Sequence, residues 1–395
     1  MSVRKRSWTS KGETKTAWVV DYCDQRGRRH IKTFARRHNA DAFHSKVAVD
    51  VSAGIHTPDR ESITVAAAGE LWMRDRGAAG LERTTLMNYR VYLDRHITPA
   101  IGTARLSQLT VPAARAFEDR LRAQHSHTLV PAILGALGAI IDDAQERGLV
   151  AQNVVRSLRS RRLRRRGRDS RIERRHKGKL KVGIDIPAPD EMRAIIAGVA
   201  TLKDAHRWRP LLLTLIFTGL RSCELRGLRW SDIDLKNGSL QVRQRADALN
   251  KIGPPKSEAG ERSVPLPPMV VAALREWKLV CPKGELDLVF PGPRGCVQTR
   301  FVIVDRGFNP AQLAAGVVTV DGKAKYKGLH TLRHFYASWC INRRVDGGLE
   351  LPLKVVQARL GHASVQMTAD TYGHLFPRGD DGSELAAAER AFLAG

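Results

Sequence analysis

The chain has 395 residues, of which 43% are hydrophobic, and a mean hydropathy of −0.30, which predicts two or three globular domains, each large enough to bury a core. Its longest apolar run, Pro210 to Leu220, is too short for the about 20 residues that cross a bilayer, and its basic N-terminus lacks the apolar stretch of a secretory signal, so membrane classes are excluded and a cytoplasmic protein is expected. Lys and Arg number 66 against 40 Asp and Glu, a formal charge of +26, and a field of that sign attracts polyanions, nucleic acid foremost.

Two strand-like segments, AWVVDY and RHIKTF, come first, joined by a turn that contains Gly27. A helical period follows in NADAFHSKVAVDV, with Asn39 the expected N-cap. A short sheet with one helix is expected over residues 1–55, and its Arg26, Arg28, Arg29 and Lys32 are candidate DNA contacts. Residues 62–155 read differently. Four segments there place apolar residues at three- and four-residue spacing, with Pro112 just inside a helix start, which predicts an all-helical unit.

From Arg156 to Lys181 fourteen basic residues stand against two acidic ones. Residues 156–183 are read as a basic linker, either a solvated tether or a track along phosphates, and Arg161, Arg162, Arg164, Arg165 and Arg166 join the candidate DNA contacts because each neutralised phosphate releases counterions. The five cysteines show no CxxC spacing and are read as reduced thiols.

Residues 184–395 carry the chemistry. RPLLLTLIFTGLRSCELRGLRW reads as an apolar helix stopped by Gly219 and a second helix starting near Ser222, with Arg221 at the junction. A guanidinium so placed meets an anion or bridges to Glu224 or Asp232. Lys256 lies in a long turn between two strands. HTLRHFYASWCIN puts His330, Arg333 and His334 on one helical face. Two histidines four apart raise a zinc site, but Thr331 stands where a metalloprotease has Glu, and no third ligand is close in sequence, so no metal is expected. LGHASVQMTADTYGHL then presents His362 and Tyr372.

These residue types suit attack on a phosphodiester. Two permanently charged forks can hold the nonbridging oxygens. A phenol of pKa near ~10 needs a base or a cationic field to attack, and an ammonium can protonate the leaving sugar oxygen. A covalent phosphotyrosine conserves the energy of the broken bond, and no GxxxxGK[ST] loop is present, so no cofactor is expected.

In TGLRSCELRGLRW, PKSEAGERSVPL, HTLRH and LGHASVQMTADTYGHL, taken in that order, the chain resembles the tyrosine recombinases of the phage integrase family. The resemblance implies that Tyr372 attacks DNA to leave a 3'-phosphotyrosine and a 5'-hydroxyl. Arg221, Arg333 and His362 would stabilise the transition state, His330 would assist proton transfer, and Lys256 would protonate the leaving oxygen. It implies an α+β, mainly α, multidomain fold: a small N-terminal β-sheet plus helix as arm-type DNA-binding domain, an all-helical core-binding domain, and a mostly helical catalytic domain with a small antiparallel sheet. It also implies attachment-site duplex DNA, a homotetramer on that DNA, an accessory bending or directionality factor, a phage or other mobile element, and a bacterial nucleoid setting. Type IB topoisomerase chemistry and a non-catalytic DNA-binding protein are the alternatives. The segment SELAAAERAFLAG predicts a short helix with Leu385, Ala388, Ala391 and Phe392 on one face, docking on its own domain or on a neighbouring protomer.

Overall fold

The computed structural model describes residues 2–10, 13–24, 26–54, 56–58, 61–158, 179–376 and 382–394. The contacts divide the chain into two units, Met1–Arg171 and Ile172–Gly395. Arg161, Arg162, Arg164, Arg165 and Arg166, with most of the basic linker, lie outside the described residues.

The first unit opens with a three-stranded antiparallel sheet, β1 (Ser2–Ser10), β2 (Glu13–Cys23) and β3 (Arg29–Phe34), in sequence order. Alternation on β2 sends Trp18, Val20 and Tyr22 to one face, where Ala40, Phe43, Val47 and Val51 of α1 (Arg37–Ser52) cover them. The first strand was not expected from the sequence, because Arg4, Lys5 and Arg6 give SVRKRSWTS no apolar alternation. Its backbone is nonetheless paired along its length with β2, Val3 opposite Val20. Asn39 does not cap α1. The helix begins at Arg37 behind Arg36, which caps with no side-chain bond.

The rest of this unit is helical: α2 (Val65–Ala78), α3 (Arg83–Tyr92), α4 (Val111–Gln124) and α5 (Leu129–Glu146). Thr64 and Thr110 cap their helices by accepting from Ala67 N and Ala113 N, which satisfies amides that a helix start leaves orphaned. Trp72, Phe117, Leu137 and Ile141 centre its core.

The second unit is built on α7 (Ala205–Thr218), which follows α6 (Pro189–Ala200) and is buried over most of its length from Trp208 to Ile216. A helix apolar on nearly every side belongs in a core. Gly219 ends it at φ +61, in the left-handed region where glycine carries no Cβ penalty. The chain then forms α8 (Ser222–Gly227), a three-stranded sheet ordered β4 (Ile233–Asp234), β5 (Ser239–Val242), β8 (Arg262–Pro265), and a ribbon of β6 (Arg245–Ala246) with β7 (Ile252–Gly253). Helix α9 (Pro268–Val280) packs on α7. Further along come α10 (His330–Ile341), α11 (Leu353–Leu360), α12 (Val365–Tyr372) and α13 (Gly382–Leu393), after short helices at Arg300–Ile303 and Asn309–Ala314. Leu385 and Phe392 of α13 are exposed. The architecture is mainly helical with small antiparallel sheets, the expected class. Among the described residues no helix is long and apolar enough to cross a membrane.

Candidate active site

The site is assembled around the C-terminal end of α11. The last carbonyls of a helix have no intrahelical partner, and here three guanidiniums take them in succession. Arg262 Nε donates to the Arg359 carbonyl at 2.7 Å, Arg333 Nη2 to the Leu360 carbonyl at 2.6 Å, and Arg221 Nη2 to the Gly361 carbonyl at 3.2 Å. Gly361 turns away at φ +64, and a Cβ there would lie 2.7 Å from the Ala259 carbonyl oxygen and 2.8 Å from Arg262 Nη1. Close approach as well as backbone conformation therefore requires glycine.

A buried carboxylate ties two of these cations, Arg221 and Arg262, together. Glu224 accepts from the Arg221 amide at 2.8 Å and from Arg221 Nη1 at 2.7 Å, and Arg262 Nη2 donates to it at 2.9 Å. Burial alone would raise this carboxyl, but Arg262, Arg221 and Arg333 outweigh it and hold it below its usual value. The expected bridge from Arg221 to Glu224 is therefore formed, while Asp232 pairs with Arg229 and Arg243 instead. Arg333 is 1% exposed, and its Nη1 donates to the Gly219 carbonyl at 2.7 Å. Three guanidiniums against one carboxylate, all three held partly by carbonyl dipoles, leave a preorganised cationic site for a phosphate.

Helix α12 delivers Tyr372 to this cluster, its start capped by Ser364, which accepts from Met367 N. Tyr372 is 1% exposed, and its hydroxyl oxygen lies 2.7 Å from His334 Nδ1, within hydrogen-bond reach. Burial pushes the phenol up to about 12, against the pull of Arg333 and Arg221. His362 is buried, with Nδ1 2.9 Å from Thr368 Oγ1 and its ring parallel to that of Tyr372, centroids 6.3 Å apart. Burial first, then Arg333 and Arg221, push His362 down to about 4. The His330 ring meets His334 edge-on at 4.6 Å.

Residues 188–378 match the model of the phage integrase family. That segment, just under half of the chain, carries a phage-integrase-family domain. It is similar to the tyrosine recombinase XerC-like protein of Caldanaerobacter subterraneus subsp. tengcongensis, 29% identical over 194 residues that make up 44% of this chain and 47% of that one. The chain spans about half the length of the curated relatives it first matches. In fold it is similar to the Tn1549 transposon integrase solved with a circular intermediate DNA, at a TM-score of 0.63 and 18% identity over 84% of this chain and 100% of that one. A lambda integrase tetramer bound to a Holliday junction gives a TM-score of 0.55 at 18% identity, over 91% of this chain and 95% of that one.

In this phage-integrase-family domain, Arg221, Arg333, His362 and Tyr372 converge as described, and His330 joins them through His334. Lys256 is exposed on the loop between β7 and β8, shortly before Ala259, whose carbonyl abuts Gly361. The candidate contacts of the N-terminal sheet differ in what already surrounds them. Arg26 is exposed, but Arg28 pairs with Asp24 and Glu61, Arg29 pairs with Asp21, and the Lys32 ammonium sits 4.5 Å from the centroid of Phe43. The acidic neighbours on β2 and in the turn already engage two of these charges. Ligand atoms of Asp24, His30 and Glu61 lie within 4.8 Å of one another, but Arg28 already lies on both carboxylates.

Sequence reasoning missed Arg262, Thr368 and the hydroxyl partner role of His334. Arg262 stands inside GERSVPL, where the strand pattern hides it as one more exposed strand residue. The signal for Glu224 is its place at the third position of α8, where a glutamate commonly reaches back to the helix start.

Proposed function

We propose that the protein is a site-specific DNA recombinase that cuts and rejoins duplex DNA through a 3'-phosphotyrosine, integrating and excising a mobile element. The observation that carries this reading is the Tyr372 hydroxyl, held beside Arg333, Arg221 and His362 in a site with an excess of positive charge.

In this reading Arg221 and Arg333 bind the nonbridging oxygens of the scissile phosphate, and His362, its Nδ1 engaged by Thr368, offers the other ring nitrogen as a further donor. Tyr372 Oη forms a bond to phosphorus as the bond to the 5' oxygen breaks. Lys256, carried by its loop, gives a proton to that oxygen, and His330 assists proton transfer. The free 5'-hydroxyl of a second strand then attacks the phosphotyrosine and releases Tyr372. No step calls for a metal or a nucleotide. Conservation of the bond energy in the phosphotyrosine makes the exchange reversible.

The partners are attachment-site duplexes, four copies of this chain on paired sites, and an accessory factor that bends DNA or sets direction. The helical module, residues 62–155, clamps core DNA with the catalytic domain, residues 184–395. The N-terminal sheet, residues 1–55, binds arm-type DNA, and the basic linker, residues 156–183, tracks phosphates. Helix α13, with Leu385 and Phe392 exposed, docks on a neighbouring copy.

The test uses duplexes tiled across the DNA flanking the protein's own gene, including nicked traps, with EDTA present and a denaturing gel as readout. Wild type is expected to become attached to a 3' end, and Tyr372→Phe to bind DNA without attachment. An adduct in the Phe variant, or none from wild type on any trap, overturns the reading. Relaxation of arbitrary supercoiled plasmids without exchange between two sites supports topoisomerase chemistry instead.

A further inference from the structure

We infer that His334 is a catalytic residue, the base that accepts the Tyr372 proton during cleavage and returns it during rejoining. The assignment rests on the recombinase reading above and adds a residue to it.

The geometry comes from α10. His330, Arg333 and His334 share one helical face. Arg333 passes inward to the carbonyls of Gly219 and Leu360, and His334 places Nδ1 2.7 Å from Tyr372 Oη. That is hydrogen-bond reach, the first requirement of a general base. Among the described residues, no other base nitrogen is hydrogen-bonded to this hydroxyl. His362 Nδ1 is engaged with Thr368 Oγ1, and His330 touches His334 rather than Tyr372.

The protonation states agree with the geometry. Burial, with Arg333 beside it, pushes His334 down to about 4, so it rests neutral, and with its proton on Nε2 the Nδ1 lone pair accepts from Tyr372. The phenol rests protonated, and the proton lies between the two. Transfer to an imidazole so much weaker as a base than phenolate is uphill in the resting site. It becomes favourable only as the Oη–P bond forms and draws on the electrons of the oxygen. Tyr372 therefore stays an unreactive phenol until a phosphate is seated on the arginines. Each cleavage moves one proton from Tyr372 Oη to His334 Nδ1 and one from Lys256 to the 5' oxygen, and rejoining reverses both.

The experiment is single-turnover cleavage of the nicked trap by full-length protein in EDTA, with and without a fluorinated, more acidic tyrosine at position 372. His334→Gln keeps a polar side chain but cannot take a proton. Its cleavage is expected to fall by about 10²–10⁴-fold, the range of general-base catalysis, and fluorotyrosine is expected to restore most of the loss. A 5'-bridging phosphorothiolate, whose sulfur leaves without protonation, should rescue Lys256→Ala and leave His334→Gln slow. A variant within about threefold of wild type, or one that fluorotyrosine does not rescue while it binds DNA normally, overturns the assignment. If the substitution prevents folding, ¹⁵N spectra of the wild-type histidines decide. An unprotonated His334 Nδ1 is expected, and a protonated one overturns the assignment. Absence of any adduct from wild type overturns the recombinase reading as well. An adduct from wild type with full-rate His334→Gln overturns this assignment alone.

Discussion

Arg262 on β8 reaches Glu224 on α8 with both terminal nitrogens, Nη1 at 3.3 Å and Nη2 at 2.9 Å, although neither residue touches the Tyr372 hydroxyl. Side-chain exposure is 6% for Arg262 and 3% for Glu224. The pair joins the strand that follows the Lys256 loop to the helix that begins behind Arg221.

Removing one partner of such a pair strands a buried charge. Glu224→Ala is expected to cost about 3–5 kcal/mol, while Glu224→Gln, which still accepts hydrogen bonds, costs less. Hydrogen exchange at the α8 amides during a urea titration reads the difference. Equal protection in wild type and Glu224→Ala would contradict the structural role.

Gly219 and Gly27 make a controlled comparison. Both have positive φ, +61 and +75, but a Cβ at Gly219 would lie 2.3 Å from Tyr336 Cδ1, whereas at Gly27 it meets nothing within 4 Å. Gly27→Ala should cost about 1 kcal/mol through backbone strain alone. Gly219→Ala adds overpacking of about 1–3 kcal/mol and displaces the carbonyl that holds Arg333, so its melting temperature should fall further and adduct formation with it.

Acid should loosen the site before neutral pH does. His334 and His362 are both pushed down to about 4 by burial and neighbouring guanidiniums, while the unfolded chain titrates near ~6.5. Between these values the unfolded state binds more protons, so stability is lost as pH falls from about 6.5 toward 4 and is unaffected by these groups above that window. A histidine Cε1–H titration in the full chain tests this. Midpoints near 6.5 for both residues would refute it.

Salt dependence separates free from engaged cations in the N-terminal sheet. Lys5 and Arg6 are exposed on β1, whereas Arg28 and Arg29 already hold carboxylates. Lys5→Ala and Arg6→Ala should each reduce the slope of log K against log salt by about 1 on duplex DNA, and Arg28→Ala and Arg29→Ala by less. Equal slopes for all four would mean that DNA displaces the ion pairs.

The residues legible in the sequence were those whose chemistry is unusual for a core. An arginine at a helix junction, a histidine–arginine face and a tyrosine closely following a second histidine point to one reaction, and the stop at Gly219 follows from backbone sterics. Arg262 and Thr368 were not legible, because their importance lies in which partner stands opposite after folding, and no local pattern encodes that. His334 was legible as a neighbour of Arg333, but its partner comes from α12. Strand β1 was hidden for a different reason. Its residues are mostly charged or polar, and its stability comes from main-chain pairing with β2.

The anchoring of three arginines on the Arg359, Leu360 and Gly361 carbonyls bears on how this protein can evolve. Every residue type supplies a carbonyl, so the grip on those cations is indifferent to which side chains occupy positions 359 and 360. Chain length is another matter. Losing one residue from α11 turns its end by about 100° and carries all three acceptors away from their guanidiniums at once. This corner of the molecule is thus insured against point substitution in its anchors and uninsured against insertion or deletion.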